Sequence, residues 1–158
     1  MSCGATLAIA LMLSNPAVAQ AAAQPPAVVG APVSVASEPL FAEIISLSSA
    51  LHALVDLQIN AGSAERSDFA TSEPFAVVRR GAAALAEKDM QGHLILKERG
   101  TDGDLKCILR GISEDIPKKI AAVEAATSPA LRATALSELS YLLNDNVEVI
   151  TAPPQPEV

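Results

Sequence analysis

Residues 105–123 read LKCILRGISEDIPKKIAAV, and the phase of this stretch decides the fold. Leu105, Ile108, Leu109, Ile112, Ile116, Ile120 and Val123 recur at intervals of three and four. At roughly 100° per residue they fall within an arc of about 120°, one apolar stripe along an α-helix. Pro117 lies inside the stripe. A proline in a helix interior costs about 3 kcal/mol. Burying Ile116, Ile120 and Val123 contributes roughly 1.5–3 kcal/mol each. The stripe also keeps its phase across the proline. One helix, bent near Ser113 to Pro117, is therefore preferred to a restart at Ser113, where Pro117 would fall in a new first turn.

Upstream, Ser72-Glu73-Pro74 and Ser37-Glu38-Pro39 are both helix starts, with Ser as N-cap and Glu and Pro in the first turn. They stand 35 residues apart, close to the period of a helical-hairpin repeat. Each interval, however, holds one helix and lacks the aromatic and glycine marks of such a repeat. The first helix carries Leu40, Phe41, Ile44, Ile45, Leu47, Leu51, Leu54, Val55 and Ile59, about half its circumference, and ends at Asn60-Ala61-Gly62. Residues 63–71 read as a polar loop. The second helix turns Phe75, Val78, Ala82 and Leu85 inward, and Gly81 to Ala84 are small enough to admit a close neighbour. Either Gly92 ends it, leaving residues 93–97 extended, or it continues to Gly100; continuation is preferred. Thr101-Asp102-Gly103-Asp104 caps the central helix. Ser128-Pro129 starts the last, whose Leu131, Ala135, Leu136, Leu139, Leu142 and Leu143 share a face. Asn144-Asp145-Asn146 is expected to end it, and residues 147–151 to add a strand-like segment. The resulting fold class is all-α: a small antiparallel four-helix bundle. The competing arrangements are an irregular four-helix array and an obligate dimer sharing its core.

At the N-terminus, residues 5–13 are a short apolar run, followed by Pro16 and the small-x-small triplet Ala17-Val18-Ala19. This is the pattern of a cleaved export signal. The run is too short to cross a bilayer, which needs about 20 apolar residues. No Lys or Arg precedes it, so either the amino group supplies the early charge or the start lies upstream. The expected organisation is a signal peptide at 1–19, a disordered Ala/Pro-rich leader at 20–37, a helical domain at 38–150 and a disordered tail at 151–158. About 139 residues remain after cleavage, within the size of one domain. The expected location is the periplasm or the exterior, with no stable membrane insertion after cleavage.

The formal net charge is −7, with aromatic residues at 3% and no charged residue before Glu38. An acidic chain with so few rings is a poor fit for nucleic acid, which rewards clustered Lys/Arg and stacking. Arg79-Arg80 and Lys118-Lys119 read as solvated faces. There is no Cys-x-x-Cys-His for covalent haem. His52, Met90 and His93 are the remaining candidates for haem or copper, but lack a diagnostic spacing. His52 and Asp56, four apart, can hydrogen-bond on one helix face. Catalysis also needs a nucleophile in reach, and only Ser48 and Ser49 lie nearby in sequence. Asp102-Gly103-Asp104 lacks the further oxygen ligands of a calcium loop. Tyr141 lies opposite the last helix's leucine face.

Cys3 would leave with the signal, which rules out an intramolecular disulfide in the mature chain. Cys107 points off the central stripe, near the helix start and beside Lys106. It is either a small buried residue on a second packing face, or the candidate for an intermolecular disulfide or reactive thiol. No cofactor or metal is expected. The functional expectation is a non-enzymatic protein-interaction or structural module, with an unknown protein or a second copy as partner. The alternative is a bundle that carries a small apolar ligand or haem. N-terminal sequencing of the protein recovered from an envelope fraction should begin at Gln20. Recovery of the intact chain from the cytosol would contradict the export signal.

Overall fold

The computed structural model describes residues 34–100 and 103–152, which form four helices and no strand: α1 Pro39–Asn60, α2 Glu73–Arg99, α3 Gly103–Ala125 and α4 Pro129–Thr151. Two single 3₁₀ turns, Ser63–Glu65 and Phe69–Thr71, join α1 to α2. Side-chain pairings establish that neighbouring helices run antiparallel. Glu38 meets Arg99 and Glu43 meets Lys88 between α1 and α2. His93 meets the Lys106 carbonyl, and Arg79 meets Glu124, between α2 and α3. Lys119 meets Glu138 between α3 and α4. Ser48 reaches Leu143 and Asp56 reaches Ser140 between α4 and α1. The chain thus closes an up-down-up-down square, as its four amphipathic segments predict.

The central stripe is the core's third wall. Leu105, Leu109, Ile112, Ile116, Ile120 and Val123 are buried, and Ile108 is partly buried at the edge. The helix runs unbroken through Pro117, which sits on the exposed side. Its ring therefore meets solvent, while the residues on either side keep their place in the stripe. Phe41, Ile44, Leu51 and Val55 from α1 join Phe75, Val78, Ala82, Leu85 and Leu96 from α2 and Leu136, Leu139 and Leu143 from α4. Among the described residues only α1 is long and apolar enough to cross a membrane, with a mean hydropathy of 1.5. In the bundle one side of it is core.

Small residues set the spacing of the helices. A Cβ on Gly81 would lie 2.6 Å from Leu51 Cδ2 of α1, so that helix approaches along the small run of α2. A Cβ on Gly92 would lie 3.1 Å from Leu109 Cδ1 and 3.2 Å from Phe41 Cε1. Gly92 is therefore a packing residue rather than a terminator, and α2 continues to Gly100, whose φ is +66°.

Several local expectations are corrected. Glu38, not Ser37, is the N-cap of α1, and its carboxylate is held by both terminal nitrogens of Arg99 at 2.8 and 2.7 Å. Ser72 occupies the N-cap of α2, but its hydroxyl donates back to the Phe69 carbonyl at 2.7 Å. Ser128 caps as expected, its oxygen accepting from the Leu131 amide at 3.2 Å. The inter-helix loop is not wholly polar: Phe69 is buried against Phe75, ring centroids 5.2 Å apart. Val35, within the stretch read as a disordered leader, is buried. Residues 147–151 are helical, not strand-like, because Asn146 is a core residue and Ile150 continues the stripe. Leu131 and Leu54 fall outside the core, at 56% and 37% exposed. The signal, most of the leader, residues 153–158 of the tail and the Thr101-Asp102 turn lie outside the described residues, and Thr151, read as the first residue of a disordered tail, is helical.

Replacing Gly92 by leucine should lower the free energy of unfolding in urea by about 1–3 kcal/mol, the usual cost of overfilling a packed interior. An unchanged midpoint would show that α1 and α3 do not meet at this glycine.

Candidate functional site

Three polar clusters lie in or at the edge of the apolar interior. The first lies on the seam between α1 and α4. His52 Nε2 stands 3.3 Å from Asp56 Oδ2, the spacing of four having placed them on one helix side as expected. Asp56 Oδ1 accepts a hydrogen bond from Ser140 Oγ at 2.5 Å. The serines adjacent in sequence do not join them. Ser48 is fully buried and donates to the Leu143 carbonyl at 2.8 Å, while Ser49 is exposed. A serine-histidine-carboxylate hydrolase places the imidazole between hydroxyl and carboxylate. Here the carboxylate is in the middle and takes the hydroxyl proton's bond itself, and Ser140 is only 8% exposed. The cluster is built to pin α1 against α4.

His93 is buried, with Nδ1 2.6 Å from the Lys106 carbonyl. A carbonyl only accepts, so Nδ1 carries the proton and donates. Met90 is half-buried and lines an open cleft of about 410 Å³ between α2 and α3, with Ala86, Gln91 and Ser113. His52 thus lies on the α1–α4 seam, while Met90 and His93 lie where α2 faces α3, and His93 is engaged with the Lys106 carbonyl. Among the described residues no group of three His, Cys, Asp or Glu is placed to hold a metal ion. Cys107 is half-buried and disulfide-bonded. Tyr141 is 72% exposed.

The second cluster was not anticipated from the sequence. Asp89 and Asn146 are both fully buried, and Asn146 Nδ2 donates to Asp89 Oδ1 at 3.2 Å and Oδ2 at 3.0 Å. They come from α2 and α4, which face each other across the diagonal of the square. A signal did exist: Asp89 has the phase of Leu85 and Leu96, and Asn146 that of Leu139, Leu143 and Ile150. By residue type Asn146 marks a helix end, whereas by phase both residues belong inside.

The third is Arg132, buried without a carboxylate. Its Nη1 donates to the Ala64 and Arg66 carbonyls at 2.6 and 2.9 Å, and Nη2 to the Ala126 carbonyl at 3.4 Å. It ties the α1–α2 connection to the start of α4. Beside that end, Ala122, Ala125 and Ala126 of the α3 terminus and Leu131, Thr134 and Ala135 of α4 line a cleft of about 290 Å³.

Compared with known proteins, the chain matches no family model, no curated protein and no solved structure.

Burial pushes the Asp89 carboxyl up to about 7, the bond from Asn146 opposing this more weakly. Its ordinary value is 3.8. Between the two, the folded chain keeps a proton that the unfolded chain has released, so stability falls as pH rises from about 4 to about 7 and is level above. At about 1.4 kcal/mol for each pH unit between the two values, the loss reaches about 4 kcal/mol. The melting temperature of the wild type should therefore fall between pH 5 and pH 8, and that of Asp89→Asn should stay nearly level across the same range. Parallel profiles for the two proteins would remove Asp89 as the cause.

Proposed function

We propose that this chain is a small exported helical protein that works by binding another protein, or a second copy of itself, and that catalyses no reaction. The observation that carries the reading is Leu131. It is 56% exposed on a helix whose Leu136, Leu139 and Leu143 are fully buried, and it borders the alanine-lined cleft at the α3–α4 end. A helical hairpin end that offers a large aliphatic side chain beside small ones presents a shape for a partner's side chain to enter. The polar clusters support the same view. Ser140, Asp56 and His52 hold two helices together, and Arg132 is occupied by backbone carbonyls.

The test is chemical cross-linking in the native envelope fraction, comparing the wild type with Leu131→Glu. The expected result is one defined adduct, to another protein or to a second copy, that the variant loses while its helix content and melting temperature stay unchanged. Equal adducts from both proteins, or none from either, would remove this surface as the binding face. A visible absorbance band in the purified protein would replace the reading with that of a haem-carrying bundle. Turnover of a hydrolase substrate that disappears in His52→Ala would replace it with an enzyme.

A further inference from the structure

The Asp89–Asn146 pair has an asymmetry that its role as a helix contact does not explain. Asn146 Oδ1 is buried with no hydrogen-bond partner, although the carboxyl group lies beside the same amide. No counter-charge reaches Asp89. Arg132, the buried cation among the described residues, is committed to carbonyls at the other end of α4. From α1 come Phe41 and Ile44, which lie against Gly92 one turn along, and Ser48, whose proton goes to Leu143; Glu43 of α1 is bound to Lys88 at the surface. From α3 come Leu109 and the buried Ser113, while its Lys106, Arg110, Glu114 and Asp115 occupy half-buried or exposed positions. On α2, Lys88 turns to Glu43 and His93 to the Lys106 carbonyl. On α4, Asp145 is half-buried and Glu148 is exposed, accepting from Asn144.

We propose that Asp89 and Asn146 form a proton-operated latch on the last turns of α4, shut while the carboxyl is neutral and loosened when it ionises. A neutral carboxyl has an O–H to donate. Turning the Asn146 amide over presents Oδ1 to that hydrogen and gives the lone acceptor a partner, while Nδ2 gives up its two bonds to the carboxyl oxygens. Ionisation removes the donor and leaves a buried anion beside a buried, unpartnered carbonyl, both of which are costly. Swinging Asn146 out with residues 147–151 relieves both. Beyond Asn146 only Ile150 is fully buried on that segment, so little apolar surface opposes the release.

Amide hydrogen exchange on the full chain tests this, with protection at residues 147–151 corrected for the intrinsic rate at pH 5.5 and pH 8.5. If opening lets Asp89 ionise in water, protection there should fall about thirtyfold between the two conditions, from the linkage between its buried and free ionisation points. Asp89→Asn should hold the same protection at both. A fall below about threefold in the wild type, or an equal fall in the variant, would overturn the latch. The carbon-13 carboxyl resonance of Asp89 in the wild type gives a second measurement that needs no variant. A midpoint near neutrality that tracks the loss of protection supports the proposal, and a midpoint below about pH 5 ends it.

Discussion

Close packing with small side chains is the constraint on which this bundle depends. The sequence has three phenylalanines and no tryptophan, and Phe41, Phe69 and Phe75 are all fully buried. The rest of the interior has to be filled by Leu, Ile, Val and Ala. These fill a four-helix core only when the helices approach closely, because a gap too small for water still forfeits contact energy. Gly81 and Gly92 on α2 permit that approach, one against Leu51 of α1 and the other against Phe41 of α1 and Leu109 of α3. The long α2 is therefore the helix against which its neighbours are gauged.

A tight apolar interior makes its polar exceptions consequential. Ser48 and Ser140 are inexpensive to bury, since each hydroxyl finds one acceptor on the neighbouring helix. Arg132 brings a charge inside but spreads it over three carbonyls, and so anchors the α1–α2 connection to the start of α4. Asp89 has no such compensation. It is shielded from charged partners and shares one amide with an otherwise unpartnered oxygen. Surface ion pairs between helices, such as Glu38 with Arg99 and Lys119 with Glu138, mark the antiparallel register but contribute little stability in water.

Periodicity was a good guide to element identity and a poor guide to the roles of polar residues. The stripe of residues 105–123 required one helix through Pro117, and the helix is continuous. Continuation of α2 past Gly92 was the preferred alternative, and the helix does continue. Residue type and phase disagree at two positions. Asn144-Asp145-Asn146 has the composition of a helix end, yet Asn146 has the phase of the core and a partner across the bundle. Leu131 is the reverse case. It is apolar and close to the leucine face in phase, but the ends of α3 and α4 do not cover it. The His52–Asp56 contact was legible from its spacing of four, whereas its third member, Ser140, lies 84 residues from Asp56 and could come only from the fold.

By itself the sequence determined four amphipathic helices, their phases and the short connections that make neighbours antiparallel. Those depend on local spacing and on which faces avoid water, and both are written along the chain. The tertiary structure alone decided which polar side chains share an interior, that Asp89 meets Asn146 and Arg132 meets the α1–α2 connection, and which leucine stays outside. Each of these depends on the distance between residues on different helices. That distance is set by how closely the packed backbones approach, a quantity that no single segment carries.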